Sequence, residues 1–81
     1  MFYVYVLKSE KNGKHYIGST QDINSRLKRH NTGRNVSTKN GIPWVIVKTE
    51  GYASKLEAQR REFQIKSYKG GQAFKKLIKK K

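Results

Sequence analysis

Two tyrosine-bearing runs near the start of the chain, Tyr3-Val4-Tyr5 and Tyr16-Ile17-Gly18, are the first residues whose types and spacing could do chemistry. A phenol on a strand either closes a hydrogen bond inside a core or projects to a phosphate, and both uses are open to these hydroxyls. Arg26 and His30 follow, four residues apart and about 40° from each other on a helix, on a stripe next to Ile23 and Leu27. They border the core, a placement suited to a cleft. Glu62, one of five acidic residues, lies about 40° from Ala58 and about 60° from Ile65, at the edge of a second apolar stripe. Taken alone it reads as an exposed helix acid paired with a neighbouring arginine, Arg60 or Arg61, worth under about 1 kcal/mol. His15 reads as a strand surface residue, Gly18 as a place of close backbone approach, and Asn31 as a helix cap.

The elements that must position these groups follow from local pattern. Phe2 to Leu7 and His15 to Ser19 are β-branched and aromatic, and Asn12-Gly13 between them is a hairpin turn signal. Strand side chains alternate, so Tyr3 and Tyr5 share one face while Phe2, Val4 and Val6 share the other. One face is purely apolar, the other phenolic. Residues 21–32 predict a helix, with Thr20 or Asp22 as N-cap and Gly33 as the stop. A basic loop of turn formers spans residues 33–42 and ends at Pro43. Trp44 to Thr49 is nearly continuous in Val and Ile, which predicts a third strand, central or covered on both faces. Ser54 and Glu57 form a capping box that opens a helix running to about Tyr68, and Gly70-Gly71 ends it. Gln72 to Lys80 predicts a last helix with Phe74, Leu77 and Ile78 as its apolar stripe. The expected fold is α+β, a small three-stranded antiparallel sheet flanked by helices.

A chain of 81 residues allows one domain, residues 1–81, with a core of modest size. There is no cysteine, which excludes a disulfide framework and a thiolate metal site, and two histidines are too few for a His-rich cage. Against 19 Lys and Arg stand 5 Asp and Glu, a net charge of +14, so the expected partner is a polyanion, nucleic acid first. Charge alone names no chemistry, since it draws phosphate without regard to sequence and fades with salt. A ribosomal protein could carry the same charge. The terminal lysines suit either a helix end, where they meet the negative pole of the dipole, or backbone tracking. Phe2 to Leu7 is too short for a signal segment and nothing approaches a transmembrane length, so the expectation is a cytoplasmic protein with no membrane partner.

The order and spacing of the motifs resembles the GIY-YIG nuclease superfamily, specifically its small stand-alone members, over nearly the whole chain. Tyr3-Val4-Tyr5 stands where the first motif has Gly-Ile-Tyr, Tyr16-Ile17-Gly18 matches the second intact, and Arg26 through Asn31 resembles the segment carrying the family's arginine and histidine. Tyr3 and Val4 depart from the first motif, and the bulk of Tyr3 could narrow a cleft or offer a stacking ring.

The resemblance implies hydrolysis of DNA phosphodiesters, with sites chosen by DNA shape. It makes Tyr5 and Tyr16 the motif tyrosines, one of which orients or deprotonates the attacking water. Arg26 would stabilise charge on the phosphate, His30 would stand near the scissile group, and Glu62 would be the single metal-binding glutamate. Lys14, Arg29, Arg34 and Lys39 are expected to contact the nucleic acid. A lone carboxylate cannot cage calcium, but magnesium keeps several waters and takes one or two carboxylates plus substrate phosphates, so one Mg2+ or Mn2+ is expected. A tyrosine of pKa about 10 is a poor base at neutral pH, so Arg26, Lys14 or the metal would have to favour the phenolate. The alternative is a non-catalytic nucleic-acid-binding module of the same fold, with Tyr3 or Trp44 stacking on bases. Catalysis requires the five groups to converge; scatter across separate faces returns the binding reading.

Overall fold

At Gly13 the backbone takes φ +75°, the left-handed region where glycine is at ease, and the chain reverses between β1 (Phe2–Ser9) and β2 (His15–Thr20). The structure is a computed structural model and describes residues 1–69 and 71–78. The reversal is tied by Ser9 N–H donating to the Lys14 carbonyl (2.8 Å) and Gly13 N–H donating to the Ser9 carbonyl (2.9 Å). The buried Ser9 hydroxyl accepts from the N–H groups of Lys11 and Asn12 and donates to the Gly41 carbonyl (2.6 Å), which anchors the turn to the segment preceding the third strand.

After the hairpin come α1 (Ile23–Asn31), a 3-10 turn at Lys39–Gly41, β3 (Trp44–Tyr52), α2 (Lys55–Ser67) and α3 (Gln72–Ile78). Asp22, not Thr20, caps α1, its side chain accepting from Ser25 N–H at 3.0 Å. Gly33 follows the helix at φ +79°, as a stop should. The capping box at α2 closes both ways: Ser54 Oγ accepts from Glu57 N–H (3.2 Å) and donates to Glu57 Oε1 (3.0 Å). In α3 Phe74 is buried and Leu77 and Ile78 are half-buried; the expected continuation to Lys80 and the stop at Gly70 lie outside the described residues.

The sheet is antiparallel throughout, in the order β2-β1-β3, so the expected α+β architecture is the one found. Of the two alternatives expected for the third strand, the central position is corrected, since β1 is central and β3 is an edge, while cover on both faces is found, with Trp44 and Ile46 in one core and Val47 in the other. The strand carries a bulge, Val6 pairing with Lys48 and Leu7 with Ile46 so that Val47 is the extra residue. Its continuous apolar run serves both sides of the sheet, Ile46 and Val47 reaching different cores while Val45 is exposed.

β1 separates those two cores. On the α2 and α3 side, Val4 and Val6 pack with Ala58, Ile65 and Phe74. On the α1 side, Tyr5 and Leu7 pack with Trp44, supported by Tyr16, Leu27, Ile42 and Ile46. Among the described residues no helix is long and apolar enough to cross a membrane.

Candidate active site

Hairpin register brings the two motifs together. Tyr5 pairs with Gly18 and Leu7 with Tyr16, which sets the two phenol rings side by side with centroids 6.4 Å apart. A Cβ at Gly18 would stand 2.5 Å from Tyr5 Oη and 3.2 Å from Tyr16 Cε1, so only glycine lets the Tyr5 phenol lie across the β2 backbone. From α1, His30 closes the group: its Nε2 is 3.2 Å from Tyr5 Oη, and its ring centroid is 4.7 Å from that of Tyr16. Tyr5 is 2% exposed and His30 is fully buried, whereas Tyr16 is half-buried.

The other nitrogen of His30, Nδ1, is 2.8 Å from Thr38 Oγ1. Thr38 is itself buried, and its carbonyl accepts from Trp44 Nε1 at 2.8 Å. In sequence Thr38 looks like one more turn former in a polar loop; no local pattern separates it from Ser37. Asn31 is corrected from helix cap to clamp, its amide accepting from Trp44 N–H (2.6 Å) and donating to the Trp44 carbonyl (3.0 Å). This pair of bonds fixes the end of α1, and with it His30, against the start of β3.

Arg26 lies one turn before His30 and lines a cavity of about 620 Å³ between the end of β2 and the beginnings of α1 and α2. Ser19, Thr20, Asp22, Ser25, Arg29 and Lys55 share its wall. Glu62 reaches the adjoining strand from α2. Its Oε1 accepts from Ser19 Oγ at 2.7 Å and its Oε2 pairs with Lys66 at 2.7 Å. The expected arginine partner is thereby corrected. Arg61 turns the other way and grips Glu50 with Nε and Nη2 at 2.7 and 3.1 Å, because residue 61 faces β3 while residue 62 faces β2.

Ser19 shares the Val4 side of the sheet, and Gly18 the Tyr5 side. The phenol and histidine group and the Glu62 group are thus anchored on opposite faces of the sheet and approach one another only at its edge, about the Gly18-Ser19 step of β2. Charge is felt across it. Burial, then Tyr16, push the Tyr5 phenol up to about 12, with Arg26 opposing and Glu62 adding to the rise. Burial, reinforced by Arg26 and Arg29, holds His30 below the ordinary histidine range, which keeps it neutral at physiological pH.

The remaining expected residues divide. Arg29 shares the cavity with Arg26, while Arg34 and Lys39 are exposed on the segment between α1 and β3. Lys14 lines a separate hollow of about 350 Å³ with His15, Lys66 and Phe74. Tyr3 directs its ring over Gly51 of β3, 3.4 Å from where a Cβ would stand, so its bulk is turned away from Gly18. His15 is corrected from surface residue to half-buried: its ring meets Phe74 edge-on at 4.9 Å, and Nε2 is buried with no partner among the described residues.

Among the described residues no group of three His, Cys, Asp or Glu could cage a metal ion. The donors fit an ion that needs little protein. Glu62 offers one carboxylate beside the Ser19 hydroxyl, and Lys66 is a half-exposed surface partner worth under about 1 kcal/mol, hence readily displaced.

Residues 1–76 match the GIY-YIG catalytic domain. A UPF0213 protein of Staphylococcus haemolyticus is 38% identical over 76 residues, covering 93% of this chain and 92% of its own. One of Staphylococcus aureus is 39% identical over 67 residues, covering 82% and 80%. The solution NMR structure of a UPF0213 protein from Bacillus halodurans is 34% identical and covers 90% of each chain, with a TM-score of 0.48. With nearly its whole length matched, the chain belongs to the GIY-YIG catalytic-domain family.

Proposed function

We propose that the protein is an endonuclease that uses Mg2+ or Mn2+ to hydrolyse DNA phosphodiesters, choosing its sites by DNA structure. Family membership supports a nuclease-type domain acting on nucleic acid, and the net charge of +14 supports a polyanionic substrate. The observation that carries the reading is the meeting of Tyr5, Tyr16, His30 and Arg26 with the Ser19-held Glu62 about one step of β2.

Each group has a task in that reaction. Tyr16, the more open phenol, orients the attacking water, whose proton passes to a non-bridging oxygen of the substrate phosphate as the new P–O bond forms and the leaving oxygen departs. Tyr5, with its pKa near 12, acts as a neutral hydrogen-bonding partner and not as a base. Arg26 neutralises charge developing on the phosphate, and Arg29 and Lys55 steady the flanking backbone along the cavity. Glu62 would hold the divalent ion, whose chemistry is to polarise the phosphate and ease departure of the leaving oxygen.

The burial of Tyr5 and His30 favours a second reading, a binding module in which these groups only maintain the fold. Glu62 separates the two. Purified protein with Mg2+ or Mn2+ is offered duplex, branched and single-stranded DNA; the expected result is nicking by the wild type and at least about a hundredfold loss in Glu62→Ala with binding retained. If no DNA is cut and Glu62→Ala behaves as wild type, the binding reading stands.

A further inference from the structure

A chain of buried hydrogen bonds runs from Tyr5 through His30 and Thr38 to the backbone, and its far end fixes its direction. The terminal group is the Asn35 carbonyl, 3.4 Å from Thr38 Oγ1 and able only to accept. That carbonyl also takes the Thr38 N–H at 3.1 Å; with the hydroxyl donating to it as well, Thr38 presents a lone pair to His30 Nδ1, 2.8 Å away. Nδ1 then carries the imidazole proton, Nε2 is bare, and the Tyr5 hydroxyl must donate to Nε2 across 3.2 Å. Every donor points inward. The Tyr5 oxygen is left with its remaining lone pair on the side of Gly18, Tyr16 and Arg26.

We infer that Thr38 is a positioning residue: by fixing His30 as the Nδ1–H tautomer it commits the Tyr5 proton inward and makes Tyr5 a hydrogen-bond acceptor toward the reacting groups. This rests on the nuclease reading for its consequence, but not for its geometry. The support is independent of titration. Tyr5, His30 and Thr38 are each at least 98% buried, so water does not compete for their hydrogen bonds. Thr38 is held from its other side by the Trp44 Nε1 bond to its carbonyl, and Trp44 by Asn31, which stands next to His30 on α1. The loop thus closes back on the residue it orients. An acceptor at Tyr5 suits a site in which the adjoining Tyr16 hydroxyl and Arg26 guanidinium, the groups that face water and phosphate in the nuclease reading, are aligned by donating toward it.

The test uses 15N-labelled full-length protein. The imidazole nitrogen shifts of His30 are expected to report the Nδ1–H tautomer in the wild type. That pattern is expected to be lost in Thr38→Val and restored in Thr38→Ser, which keeps the hydroxyl. In nicking assays Thr38→Val is expected to lower kcat about 10- to 100-fold with KM unchanged, and Thr38→Ser to recover it. An Nε2–H tautomer in the wild type overturns the inference, as does a Thr38→Val protein with unaltered His30 shifts. A wild type that cuts no DNA yet shows the Nδ1–H tautomer sinks the nuclease reading and leaves the assigned hydrogen-bond direction standing.

Discussion

The two faces of β1 are equally buried and chemically unlike. Toward α2 and α3, Val4 and Val6 meet Ala58, Ile65 and Phe74, a core of hydrocarbon contacts. Toward α1, Tyr5 and Leu7 meet Trp44, and the polar atoms of Ser9, His30 and Thr38 are taken inside with them. Each face also receives a histidine, His15 with a buried nitrogen that lacks a partner among the described residues, His30 with both nitrogens partnered. One face holds by area, which is indifferent to direction; the other holds by directed bonds, which orient the phenols at the cost of tolerance to change.

The largest break in that comparison should come from removing area. Ile65→Ala deletes a side chain that is 1% exposed and is expected to lower stability by about 3 kcal/mol in urea unfolding. The histidines give the sharpest contrast. His30→Leu is expected to cost about 2 kcal/mol, because the hydroxyls of Tyr5 and Thr38 lose partners inside the protein, whereas His15→Leu should be neutral or stabilising. Equal losses at both positions would erase the distinction drawn between the faces.

Gly18→Ala tests the seam between them. Its Cβ would sit 2.5 Å from Tyr5 Oη, so a loss of about 1–2 kcal/mol is expected, together with a displaced Tyr5–His30 bond visible in the His30 ring shifts.

The smallest effect is expected from acid. Both histidines have depressed pKa values, so the unfolded chain binds the extra protons, and stability should begin to fall as pH drops below about 6.5. Glu50 is also depressed, by its hydrogen bond to Arg61; its contribution is present above the ordinary carboxylate range and is lost as pH falls through the lower folded value. Thermal melts across pH should therefore show two limbs, with Glu50→Gln flattening only the more acidic one.

The parts of this molecule governed by neighbours in sequence were legible there: the Asn12-Gly13 reversal, the Ser54 and Glu57 box, the Gly33 stop and the alternation that places Tyr5 opposite Val4. What escaped depends on contacts made across space. Asn31 bonds a residue 13 positions away and Glu62 one 43 positions away, so local surroundings alone made Asn31 a cap and Glu62 a partner of Arg60 or Arg61, and only the family resemblance pointed to Glu62 as a metal ligand. Trp44 to Thr49 misled for a different reason. Its unbroken apolar run suggested a central place or cover on both faces, and it is an edge strand that is nonetheless shared between two cores.

The Asn31 amide has a consequence for how the protein keeps to itself. As an edge strand, β3 would otherwise offer the outward N–H and C=O of Trp44 as the first rung for any extended segment that came alongside. Both groups are already engaged by one side chain, which imitates the rung and, having no backbone to continue the ladder, ends it. A visiting strand arriving at that corner finds nothing to pair with, and the sheet is guarded there against growth into an aggregate.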